Sequence, residues 1–184
     1  EENKALRDYS KAIELAPVNA ENWYNRGVFH IEYGHYKEAL DDLEEALKIN
    51  PSYVAAINWI GVIYKEQGKI ELAIKTYERG IALEETAPEA AVYCYSNRAA
   101  IYENQEKFDL ALADYSKAIA LNPENPEWYF ARAYLYETLD EENKALRDYS
   151  KAIELAPGNA ENWYNRGDFH LNYGHYKEAL DDLE

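Results

Sequence analysis

Residues 141–184 read EENKALRDYSKAIELAPGNAENWYNRGDFHLNYGHYKEALDDLE, and residues 1–44 carry the same text at 40 of 44 positions. The chain is thus a 140-residue period followed by a return to its own beginning. Self-similarity of this kind points to an array of repeated units rather than to one globular core. Within the quoted stretch, AIELAP at 152–157 ends a helical pattern on a proline, and the same punctuation recurs as AIELAP at 12–17, ALKINP at 46–51 and AIALNP at 118–123. Pro17 to Pro51 and Pro123 to Pro157 are both 34 residues apart, whereas Pro51 to Pro123 is 72. The longer interval holds two units: GIALEE at 80–85 marks the hidden boundary, without its proline and with four extra residues before the next unit.

Composition agrees with helices throughout. Among 184 residues there are 8 Gly and 6 Pro, so breakers are few, while Ala, Leu, Glu and Lys supply good helix formers throughout. Acidic residues outnumber basic ones by 35 to 19, a net charge of −16. That charge repels phosphate backbones and anionic headgroups, so neither nucleic acid nor a membrane surface is an expected partner. No apolar run approaches the roughly 20 residues that span a bilayer. The single cysteine, Cys94, supplies no disulfide or metal framework and reads as a small packing residue, compatible with the cytoplasm.

In this register the residues resemble the tetratricopeptide repeat, whose 34-residue pattern runs W-x2-L-G-x2-Y, then A-x3-F, then P. Unit 20–53 offers Trp23, Gly27, Ala39, Leu43, Ala46 and Pro51. Unit 54–87 offers Ile60, Gly61, Tyr64, Ala73, Tyr77 and Gly80. Units 92–125 and 126–159 follow with Tyr95, Ala99, Tyr102, Tyr115 and Pro123, then Tyr129, Ala133, Tyr136, Tyr149 and Pro157. The resemblance implies an all-α fold, an α-solenoid in which antiparallel helix pairs wind into a right-handed superhelix. It divides a single array, 1–184, into a lone second helix (1–19), four complete units (20–53, 54–91 with its four-residue extension, 92–125, 126–159) and a truncated unit (160–184). Four residues make about one helical turn, so the helix that starts near Pro88 is expected to be longer by a turn. Gly34, Gly68 and Gly174 stand where first helices end and a positive φ is wanted.

Arg26, Arg98, Arg132 and Arg166 replace the Leu of the pattern, and Asp42, Asp114, Asp148 and Asp182 stand sixteen residues later. In unit 54–87 both vanish together, leaving Ile60 and Thr76. Joint loss predicts an ion pair inside each of the other units, between its two helices, with a structural role.

Catalysis finds little support. The many carboxylates belong to solvated helix faces, and no phosphate loop, nucleophile elbow or Cys–His constellation is present, so neither an enzyme nor a cofactor is expected. His30 with His35, and His170 with His175, invite a metal. A spacing of five puts helical residues on different faces and a glycine turn intervenes, so no metal site is expected.

The resemblance implies instead a concave groove lined by the first helices. Helical counting puts on that face Tyr24, Asn25, Val28 and Glu32, then Asn58 and Trp59, then Tyr93 and Asn97. Phe130 and Tyr134 continue it, followed by Tyr164, Asn165, Asp168 and Asn172. Asn25, Asn97 and Asn165 share one repeat position and resemble a ladder that holds the backbone of an extended peptide; an asparagine there is equally a polar surface residue. A chaperone-adaptor clamp for a C-terminal carboxylate would need Lys or Asn and basic residues where this chain has Asn58, Val62, Asn97, Glu127 and Ala131. Only Asn97 matches, and Glu127 repels a carboxylate. Three of the four differences between the two copies, Val28 against Asp168, Ile31 against Leu171 and Glu32 against Asn172, fall on the groove face; the fourth is Val18 against Gly158.

The expected function is a non-catalytic scaffold that binds an extended basic and aromatic peptide segment of a protein partner. The alternative is a structural array that self-associates end to end through uncapped terminal repeats.

Overall fold

The computed structural model describes residues 2–183, in which the chain forms helices joined by short turns, with no strand among the described residues. In order these are α1 (Glu2–Leu15), α2 (Ala20–Glu32), α3 (Tyr36–Ile49), α4 (Val54–Glu66), α5 (Ile70–Ile81), α6 (Pro88–Asn104), α7 (Phe108–Leu121), α8 (Pro126–Thr138), α9 (Glu142–Leu155), α10 (Ala160–Asn172) and α11 (Tyr176–Leu183). Helices α2 and α3, α4 and α5, α8 and α9, and α10 and α11 pack pairwise.

Local chemistry sets the ends. Asn19, Asn125 and Asn159 are N-caps in extended backbone whose side chains accept from the amides of Glu21, Glu127 and Glu161, satisfying donors the helix itself leaves open. Gly34, Gly68 and Gly174 close α2, α4 and α10 with φ of +74°, +70° and +76°. The equivalent places after α6 and α8 are taken by Glu106 and Asp140, at φ +57° and +59°. Helix α6 has 17 residues where α2, α4, α8 and α10 have 13, so the extra residues do add a turn. Tyr95 on that helix donates its hydroxyl to Glu84 at 2.6 Å, tying it to the inserted loop.

The chain divides into two compact units between Asn97 and Arg98. In the first, Leu43, Ala46, Ile57, Ile60 and Ile63 form a continuous core. Small residues allow the close approach: a Cβ on Gly61 would stand 2.4 Å from the ring of Tyr77, and one on Gly80 would stand 2.4 Å from Cys94 Sγ. Cys94 is accordingly a buried packing residue. In the second unit Ala99, Ala111, Tyr115 and Leu135 form one cluster, and Ala133, Ala145, Tyr149 and Phe169 another. Each layer seats a bulky side chain over an alanine or glycine of its partner helix. Fully burying a Leu43 or a Phe169 in this way contributes about 1.5–3 kcal/mol. No helix among the described residues is long and apolar enough to cross a membrane.

Candidate functional site

Ion pairs between the helices decide which polar groups are free. Arg26 donates Nε and Nη2 to the two carboxylate oxygens of Asp42, both at 2.7 Å. Arg98 grips Asp114 at 2.8 and 2.8 Å, Arg132 grips Asp148 at 2.6 and 3.0 Å, and Arg166 grips Asp182 at 2.8 and 2.6 Å. These are two-pronged, charge-assisted bonds, and Asp42, Asp114 and Asp148 are buried. The guanidinium of Arg26 is held above its ordinary pKa, chiefly by the hydrogen bond to Asp42 and against the opposing effect of burial. Each guanidinium also lies over an aromatic ring, Trp23, Tyr102, Tyr136 or Trp163, at 5.2–5.8 Å. A further link joins neighbouring helix pairs. Nη1 of Arg26, Arg132 and Arg166 donates to Ser10, Ser116 and Ser150 on the preceding second helix. The signal was present in the sequence as a serine sixteen residues before each of those arginines.

In the first unit, Tyr24, Asn58, Trp59 and Tyr93 converge on a pocket of about 500 Å³ whose rim includes Glu89. Trp59 Nε1 donates to the Tyr24 hydroxyl at 3.3 Å, and the Tyr24 ring lies 4.9 Å from that of Tyr53. The Tyr53 hydroxyl is pushed up in pKa, first by burial and then by Tyr24 and the negative charge of Glu21. Asn97 Nδ2 donates to Asn58 Oδ1 at 3.0 Å, so two asparagines expected to face a ligand also hold each other. Asn25 is exposed, Val28 is half-buried and Glu32 is exposed.

In the second unit Phe130 lines a smaller pocket of about 230 Å³ beside Glu127 and Glu161. Tyr134 and Tyr164 do not line it and are 53% and 61% exposed. Asn165 Nδ2 is tied to the Glu161 carbonyl of its own helix at 2.7 Å. Asn172 Nδ2 reaches Glu137 at 3.2 Å and Asp168 at 3.5 Å. Glutamates near the ends of α6 and α8 are spoken for: Tyr115 donates its hydroxyl to Glu103 at 3.1 Å and Tyr149 to Glu137 at 2.7 Å. Burial holds Glu103 above the usual carboxylate range, opposed by the Tyr115 bond. The Tyr–Glu link was missed from the sequence, although both members recur at the same 34-residue step.

The histidines correct one expectation. His170 and His175 do not point apart: His175 lies beyond the end of α10, where the Gly174 turn folds the chain back and the His175 amide donates to the His170 carbonyl at 2.8 Å. The rings meet, with Nδ1 to Nδ1 at 3.4 Å, and His30 and His35 repeat the approach with ring centroids 5.9 Å apart. Among the described residues no group of three or more His, Cys, Asp or Glu is arranged to hold a metal ion.

Comparison with known proteins gives these features a common origin. Tetratricopeptide repeat models match residues 20–53, 54–86, 92–125, 126–159 and 148–181. The small glutamine-rich tetratricopeptide repeat-containing protein 2 of Saccharomyces cerevisiae is 34% identical over 87 residues, covering 47% of this chain and 25% of that protein. The tetratricopeptide repeat and J domain-containing co-chaperone DNJ1 of Cryptococcus neoformans is 37% identical over 78 residues, covering 41% of this chain and 15% of that one. The matched stretch thus spans a quarter or less of either relative. Among solved structures, Pseudomonas aeruginosa pilF superposes with a TM-score of 0.84 at 19% identity, covering 98% of this chain and 81% of its own. YrrB, a tetratricopeptide repeat protein with an unusual peptide-binding site, gives 0.66 at 21%, covering 95% and 88%. At these identities the structures share the fold alone. Matches from residue 20 to residue 181, on helix pairs with small-to-large packing, place this chain in the tetratricopeptide repeat family as an α-solenoid protein–protein interaction scaffold.

Proposed function

We propose that the chain holds an extended, basic and aromatic segment of a partner protein against the faces of its first helices. The observation that carries this reading is the first-unit pocket, where Tyr24, Asn58, Trp59 and Tyr93 surround about 500 Å³ with Glu89 at the rim. That volume admits one large apolar or aromatic side chain. Its aromatic walls supply contact area at a low cost in side-chain entropy. The acidic rim favours an adjacent Lys or Arg, and the net charge of −16 speeds its encounter. Phe130 between Glu127 and Glu161 offers the same chemistry on a smaller scale in the second unit. Asn58 and Asn97, already bonded to each other, each retain a lone pair or an N–H for a peptide backbone. A co-chaperone relative does not bring a carboxylate clamp with it, since Glu127 and Ala131 replace the basic residues that such a clamp requires.

The test is a titration of a labelled peptide with a tryptophan flanked by Arg and Lys, followed by fluorescence anisotropy. Trp59→Ala is expected to weaken binding about tenfold or more, in the range of an aromatic anchor. Raising salt from about 50 to 500 mM is expected to weaken it further through screening. Equal binding of a neutral, non-aromatic peptide, or indifference to Trp59→Ala, defeats the reading. A chain that stacks on its own copies instead would sediment as larger species with rising concentration, and Trp59→Ala would leave that unchanged.

A further inference from the structure

A cleft of about 590 Å³ in the first unit shares no residue with the Tyr24–Trp59–Tyr93 pocket. It opens where the repeat breaks its own rule. In three places a serine, an arginine and an aspartate at sixteen-residue steps bridge successive helices: Ser10–Arg26–Asp42, Ser116–Arg132–Asp148 and Ser150–Arg166–Asp182. At the corresponding steps in unit 54–87 stand Glu44, Ile60 and Thr76, and all three line the cleft. Ile60 is too short to span the seam, and Thr76 turns its hydroxyl back to the Leu72 carbonyl of its own helix at 2.7 Å. The seam that the guanidinium fills elsewhere is left open here.

The chemistry of the opening differs from that of the rest of the surface. Its floor is apolar, with Ile57, Ile60 and Leu47 buried, and Leu72 is 47% exposed at its edge. Lys48, Lys75 and Arg79 line it with one carboxylate, Glu44; Lys48 is already paired with Glu45, so Lys75 and Arg79 supply the cationic edge in a chain whose net charge is −16. Arg79 is fixed by donating to the Pro51 carbonyl at 3.1 Å, and Lys75 has no ion-pair partner among the described residues. An apolar floor ringed by cations is complementary to a large apolar side chain flanked by carboxylates.

We propose that this cleft is a second docking site, for an acidic and apolar segment of a partner protein. One Leu- or Phe-sized side chain occupies the seam that the arginine fills in the other units. Flanking Asp or Glu carboxylates pair with Lys75 and Arg79. The two faces then select segments of opposite charge, so a single chain joins two partners without competition between them.

The test uses the full chain and a fluorescein-labelled peptide, Glu-Asp-Leu-Phe-Asp-Glu, followed by anisotropy at low salt. Rebuilding the bridge with Glu44→Ser, Ile60→Arg and Thr76→Asp together is expected to close the seam and weaken binding at least tenfold. Because three other seams already fold with that triad, circular dichroism should be unchanged. Lys75→Glu, an exposed single change, is expected to weaken binding at least fivefold whether or not the triple variant folds. Trp59→Ala should leave this probe unaffected, which separates the site from the first-helix face. Loss of binding in the Lys75→Glu chain with retention in Trp59→Ala supports the proposal. No binding by the unaltered chain, equal binding by the Lys75→Glu chain, or displacement of the peptide by an equal concentration of decanoate overturns it.

Discussion

Arg98 and Asp114 keep side-chain exposures of 16% and 7%, so neither ion is solvated well enough to stand alone. Removing one partner of such a pair typically costs about 3–5 kcal/mol, because the other charge stays buried and unpaired. Replacing both with apolar residues costs far less. A double-mutant cycle with Arg98→Leu and Asp114→Ala, followed by urea unfolding, is therefore expected to show strong coupling; strictly additive effects would mean the pair stores no mutual energy. The pair was legible in the sequence because its two members disappear together in one unit. The serine contacts and the Tyr115–Glu103 and Tyr149–Glu137 bonds were not, since helical counting assigns faces but says nothing of which polar tips on adjacent faces meet. Tyr24, Trp59 and Tyr93 were picked out by counting and do gather at one pocket, whereas the mutual bond of Asn58 and Asn97 depends on side-chain reach across helices. His170 supplies a pH dependence of definite sign. Burial pushes it below its ordinary pKa; Arg166 and His175 act in the same direction, while Asp182 and Glu178 oppose. The unfolded chain takes up a proton that the folded one resists, so this contribution is complete above about pH 6.5 and is lost as pH falls through the depressed value. Thermal melts at pH 7.5 and 5.5 should show a smaller acid-induced drop in His170→Gln than in the unaltered chain.

At the helix ends the same turn is built with two kinds of residue. Gly34, Gly68 and Gly174 take positive φ without steric cost, while Glu106 and Asp140 adopt it against the clash between Cβ and the carbonyl. The glycine turns could be read directly, because the residue announces the conformation. The other two could not, because nothing in a glutamate or an aspartate does so. Asp140 recovers part of the strain, its carboxylate accepting from the Tyr173 hydroxyl at 3.0 Å. Among the described residues the Glu106 side chain makes no such bond, so relief of strain should outweigh the greater freedom of glycine in the unfolded chain. Glu106→Gly is expected to stabilise by about 0.5–1 kcal/mol in chemical denaturation, and Gly68→Ala to destabilise by about 1–2 kcal/mol, the cost of a left-handed L-residue. If Glu106→Gly is destabilising instead, the positive φ carries no strain. Element lengths follow from the same reasoning: the four residues inserted before unit 92–125 became one extra turn of α6, as expected of an insertion that must return the packed stripe to its original face.

For the chain as a whole, charge acts on stability and on binding in opposite directions. A net charge of −16 on 184 residues is self-repulsive, and compaction brings those charges together. Against this stand the Arg–Asp pairs, which are screened little because their aspartates are shielded from solvent. Exposed pairs such as Lys11–Glu14 and Lys151–Glu154 add little, because water and salt screen them. Screening therefore removes more repulsion than attraction. The melting temperature is expected to rise by several degrees when sodium chloride goes from about 10 to 200 mM, while affinity for the basic tryptophan peptide falls over the same range. Calorimetry and anisotropy on one preparation give both slopes. A melting temperature that falls with salt would show that surface pairs, rather than net repulsion, dominate the electrostatics of the fold. An affinity that does not fall would remove the acidic rim of Glu89 from any part in recognition.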